Sequence, residues 1–176
     1  MKILFLTVIS LLMYLPEKDS KPSLNEIREL FFNMDRDSSG ALSLFESISS
    51  ESYDDPIMQA YAGATEAAAA ECVDGAFNKL EYFSRGKKNL ENAVERAPQN
   101  PEIRFLRFIT QTNLPDFITY DNIREDKSLI LEHLPQLMED DQQNWFWIEA
   151  AQVMADSGKL NKKEKELLEQ LLRKNK

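Results

Sequence analysis

From Leu24 to Leu172 the apolar residues return at intervals of three and four, and no stretch alternates apolar with polar as a half-buried strand would. That spacing restricts the chain to helices that each bury one stripe. Leu24, Ile27, Leu30, Phe31 and Met34 share a face, and Leu42, Phe45 and Ile48 continue the pattern. The alanine-rich stretch from Pro56 to Phe77 places Ile57, Tyr61 and Ala64 in register, with small residues that allow close packing. A helix over Asn78–Asn100 is stopped by Pro98, and Pro101 opens the next one, where its missing N–H leaves no bond unmade. There Ile103, Leu106, Ile109 and Thr110 recur. A turn and a further helix follow, with Asp121 or Asn122 as cap. The next helix stops at Gly158. Asn161 and Glu164 form a capping box for the last, whose stripe is Leu167, Leu168, Leu171 and Leu172. The expected fold is all-α, an array of antiparallel helical hairpins.

Composition narrows the function classes. Five Gly and seven Pro among 176 residues leave the helical runs long, and the length suits one domain with its own core. A net charge of -9 leaves no basic surplus to neutralise phosphates and argues against nucleic acid as a partner. Cys72 is the only cysteine and His133 the only histidine, which argues against a thiol protease or a histidine-rich zinc site. Cys72 closes the alanine-rich stretch "EAAAAEC" and reads as a small buried residue.

The apolar run of "MKILFLTVISLLMYL" is too short for a comfortable membrane span and fits a secretory leader. It has no A-x-A-like cleavage site, and an uncleaved N-terminal anchor is the alternative. We therefore expect a signal peptide and polar linker over 1–22, a single helical domain over 23–176, and export to the periplasm or outside the cell. No stable membrane span is expected once the leader is cleaved.

Gly86, Leu90, Ala93 and Pro98 match the small, large, small and proline positions in the second half of a tetratricopeptide repeat. Ala70, Val73 and Asp74 stand where that repeat usually has Trp, Leu and Gly, so the resemblance is to a repeat-like hairpin. More widely, "IREL", "YAGA", "NKLEYFSRGKKNLENAVERAPQN" and above all "NPEIRFLRFITQTNLPDFITYDNIREDK" resemble a family of small exported bacterial helical proteins of unknown function. That resemblance implies a compact helical hairpin array and export, and supplies no catalytic residues.

The segment "MDRDSSGALSLFES" resembles an EF-hand. Such a loop offers oxygens at positions 1, 3, 5, 7, 9 and 12, with Gly at 6. Here those places hold Asp35, Asp37, Ser39, the Ala41 carbonyl, Ser43 through water, and Glu46, with Gly40 at the bend and Leu42 at the apolar eighth position. Ser47 replaces the large apolar residue usual after the loop, and no second complete loop exists. The same residues also read as a capped turn between helices: Asp37, Ser38 or Ser39 suits an N-cap, and Ser43 with Glu46 has capping-box spacing. Calcium is thus the one cofactor this sequence suggests.

Arg104, Arg107 and Gln111 lie along one helix face. With Asn113, Tyr120 and Asp126 they read either as a polar pocket for a peptide or small acid, or as a buried ion-pair network joining two hairpins. In "NWFWIEA", one indole is expected in the core and the other at the surface. Paired carboxylates acting as a hydrolase's acid and base are the weakest reading, because no spacing singles out a pair. No phosphate loop, nucleophile elbow, dinucleotide fingerprint or H-E-x-x-H motif is present. The functional expectation is a non-enzymatic interaction protein with a protein or peptide partner. A calcium-binding protein is the alternative.

Overall fold

A computed structural model of the chain describes residues 22–34, 39–49, 54–114, 120–140 and 143–175. The described residues form eight α-helices and no strand: α1 Leu24–Phe32, α2 Ser39–Ser49, α3 Pro56–Ala69, α4 Ala76–Arg96, α5 Pro101–Thr112, α6 Ile123–Leu137, α7 Asn144–Asp156 and α8 Lys162–Lys174. The fold is all-α, as the periodicity requires. The expected leader over 1–22 lies, apart from Pro22, outside the described residues, and no described helix is long and apolar enough to cross a membrane.

Local chemistry sets most helix ends. Ser23 and Glu26 close a capping box on α1, and Asn161 and Glu164 close the expected one on α8. The Asp55 carboxylate accepts from the Ile57 N–H at 2.8 Å, with Pro56 at the first helical position. Asn100 accepts from the N–H groups of Glu102 and Ile103, with Pro101 in the equivalent place. Asn122 precedes α6, but its side chain makes no capping bond there. Gly158 follows α7 at φ 70°.

One boundary differs from the sequence expectation. Pro56–Phe77 is not a single helix: α3 ends at Ala69, a turn follows, and α4 begins at Ala76, just after Gly75 at φ 86°. Glycine tolerates that left-handed backbone, and the alanine run gives no hint of where the helix stops. Cys72 falls in this turn and is half-buried, so it is not the enclosed core residue its neighbours suggest.

The helices pair as α3/α4, α5/α6 and α7/α8, and α2 also packs along α3. Within the first hairpin two glycines face each other. A Cβ on Gly86 would lie 2.5 Å from the Gly63 carbonyl oxygen and the Ala67 nitrogen, and one on Gly63 would lie 2.8 Å from the Gly86 carbonyl oxygen. Only bare backbone fits at that crossing. Between hairpins, α3 packs on α5, α4 touches α5, and α6 touches α7.

Helix α5 divides two apolar clusters. Ile103 and Leu106 belong to one, with Ile27, Leu44, Ile48, Tyr61 and Leu90. Phe105 and Phe108 belong to the other, with Ile130, Leu134, Phe146, Trp147, Met154 and Leu168. Trp147 is the buried indole and Trp145 is half-buried, close to the expected division. Leu168, Leu171 and Leu172 face the core, whereas Leu167 is turned outward.

Candidate functional site

Helix α5 carries charge on both of its buried flanks. Arg104, Arg107 and Gln111 follow one another at three and four residues, so all three side chains meet the start of α6. There Asp126 is fully enclosed and accepts four hydrogen bonds. Arg107 donates to both of its oxygens, from Nη2 at 2.6 Å and Nε at 2.9 Å. Arg104 Nη1 donates at 3.0 Å and Gln111 Nε2 at 2.9 Å. Arg104 also reaches Glu125 at 2.7 Å, and Arg107 reaches Glu91 on α4 at 2.9 Å. The Tyr120 hydroxyl donates to Glu91 at 2.5 Å, with the Lys87 ammonium 4.5 Å from its ring centroid. Gln111 Oε1 accepts the Asn122 N–H at 2.6 Å, which fixes the entry to α6.

The structure therefore brings together five of the six expected pocket residues, and they fill the space themselves. Asn113 is apart from them: it is exposed and ends α5 through its own backbone N–H. A carboxylate offers about four lone-pair sites, and Asp126 has all four engaged, so it is not free to act as base or ligand. The titration shifts agree with a held network. Burial and then Glu91 push the Tyr120 phenol far up. The Arg104 hydrogen bond holds Glu125 below its ordinary range. Burial weakens the Arg107 charge, but Asp126 and Glu91 more than restore it.

A second buried carboxylate lies on the other side of α5, and the sequence reading missed it. Glu102 accepts from Arg28 of α1 at 2.8 Å and 2.6 Å through both oxygens, and from the Tyr61 hydroxyl of α3 at 2.8 Å. A signal existed: Arg28 stands in the apolar register of Leu24, Ile27 and Phe31, where a charge requires a partner. The Glu102 hydrogen bond raises the Arg28 guanidinium above its usual value, and burial followed by the Glu102 charge raises the Tyr61 phenol. Helices α3 and α4 are tied in turn by Arg85 to Glu66 at 2.6 Å and by Arg96 to Gln59 at 2.8 Å.

The expected calcium ligands are spread over different settings. Asp35 and Asp37 lie outside the described residues. Ser39, Ala41, Ser43 and Glu46 all fall within α2. An EF-hand loop needs positions 5 to 9 open, whereas a helical Ala41 directs its carbonyl to the amide four residues on. In this conformation residues 39–46 are helical, and the two aspartates that would complete the loop lie outside the described residues. Ser43 and Glu46 sit inside the helix, so they are not its capping box either. Among the described residues no three His, Cys, Asp or Glu side chains are grouped to hold a metal ion.

Neither a protein-family model, a curated protein nor a solved structure matches the chain.

Proposed function

We propose that the chain is an exported, non-enzymatic interaction protein built as a tetratricopeptide-like array of three helical hairpins. The observation that carries this reading is the stacking order. Neighbouring hairpins follow one another in the chain's order: α3 packs on α5, α6 touches α7, and the rings of Phe105 on α5 and Phe146 on α7 lie 5.9 Å apart. Stacked hairpins of this kind make extended surfaces whose shape is held by neighbour contacts. The positions of Gly86, Leu90 and Ala93 support the repeat-like reading, because all three are buried at helix contacts. The buried charges support a scaffold role, since the acids with the most partners are consumed in joining helices.

The test is capture. Tagged chain expressed with its leader is crosslinked in the exported fraction at physiological salt, with Asp126→Ala as an unfolding control. A specific partner recovered with the native chain and lost with the control is the expected result. No partner, or the same proteins with both baits, contradicts the reading.

A further inference from the structure

Helix α1 packs against α2 and α3, and its side chains reach α5 and α7. Its Phe31 ring meets Tyr61 of α3 at 5.4 Å. Its Arg28 grips Glu102 of α5, and Phe32 lies 6.0 Å from Phe105 of the same helix. Against α7, Phe32 lies 5.2 Å from Phe146 and 6.3 Å from Trp145, and the Arg28 guanidinium sits 5.4 Å from the Phe146 centroid. We infer that α1 is a replaceable resident of this face, and that the face receives from a partner protein an amphipathic helix with an arginine followed three and four residues later by aromatic side chains.

Three features carry the inference. First, α1 has nine residues, fewer than the roughly 12–15 that an isolated helix needs in water, so it is helical because it is docked. Second, its outer side is already wet: Asn25, Glu26 and Glu29 are exposed and Leu30 is 50% exposed. The hold is therefore one-sided. Third, the face is chemically selective. Without Arg28, Glu102 would keep only the Tyr61 hydroxyl while 4% exposed, and a buried charge left so is strongly unfavourable. Whatever replaces α1 must bring a guanidinium, because a bidentate grip on a carboxylate is beyond a lysine. Beside it, Tyr61, Trp145 and Phe146 meet the α1 rings edge-on and Phe105 meets Phe32 tilted at 37°, together forming an aromatic wall. The tether to α2 gives α1 an effective concentration of order millimolar, so a partner helix must exceed α1 in contact or in length.

This inference rests on the interaction reading above. Its test uses the full chain and a fluorescein-labelled peptide of residues 22–34, "PSLNEIRELFFNM", in trans. Phe32→Ala loosens the resident helix while leaving the face untouched. It is expected to bind the peptide at least tenfold more tightly than the native chain, and the peptide with Arg28→Ala is expected to lose at least tenfold. If Phe32→Ala fails to keep native helix content by circular dichroism, Phe32→Leu replaces it under the same criteria. A folded variant that binds no better than the native chain, or an alanine peptide that binds equally, overturns the inference. The two claims fail separately. A partner captured equally by native and Phe32→Ala chains sinks this inference alone. Peptide binding in trans with no captured partner sinks the interaction function alone.

Discussion

At the residue scale, the buried carboxylates of Asp126 and Glu102 each tie helices together. Asp126 receives two guanidinium groups and an amide, so removing it leaves Arg104 and Arg107 buried with less charge to meet them. Asp126→Ala is expected to lower the unfolding free energy by about 3–5 kcal/mol in denaturant titration. Glu66 behaves differently. Burial pushes its carboxyl above the ordinary value of 4.5, against the pull of Arg85 and Asn89. A carboxyl raised by folding favours the protonated native state, so its contribution is fully present below the unfolded value and is lost as pH rises through the folded one. Glu66→Gln should therefore melt no lower than the native chain at about pH 7, with the difference closing by about pH 3. Glu125 has the opposite sign. Arg104 holds it low, so its contribution is present above the ordinary 4.5 and disappears as pH falls through the folded value. Glu125→Gln should flatten the acid limb of a melting-temperature profile. The Arg104, Arg107 and Gln111 face was legible because three polar residues shared one stripe. For the second network only half was legible: the register of Arg28 called for a partner, but nothing local pointed to Glu102, 74 residues away.

At the element scale, capping chemistry was the most readable part of the chain. Pro101, Gly158 and the Asn161–Glu164 box all stand where helices begin or end. The α3 stop was hidden, since "EAAAAECVDG" has no proline and its glycine comes six residues after the last helical one. The α3/α4 crossing depends on two glycines that helix propensity alone would disfavour by about 1 kcal/mol each. Gly86→Ala gains that propensity but drives a methyl into the Gly63 and Ala67 backbone. A net loss of about 1–3 kcal/mol is expected in thermal or urea unfolding. For α2, the helical start at Ser39 turns the calcium spacing into a measurable alternative. Ion binding through the Ala41 carbonyl would unwind the first turns of α2. Circular dichroism unchanged at millimolar calcium, with no calorimetric heat, is the expected outcome. A calcium-dependent spectral change lost in Glu46→Gln would instead restore the ion site.

At the scale of the whole molecule, the three hairpins and α1 have different standing. Helix α5 is buried along nearly its whole length between two apolar clusters, and α3 is buried from Gln59 to Ala67. Helix α1 buries only Ile27 and Arg28 outright. The all-helical class was legible from spacing alone. The course of α1 over three hairpins was not, because nothing local in "LNEIRELFF" names the surface it meets. A separable α1 on a stable hairpin scaffold has a measurable consequence. Hydrogen–deuterium exchange of the full-length native chain, resolved by helix, tests it most directly. The α1 amides are expected to exchange through local opening, at least about tenfold faster than those of α3 and α5, with little dependence on denaturant. If α1 exchanges as slowly as α5 and only with global unfolding, it is an integral part of the core and not a separable occupant.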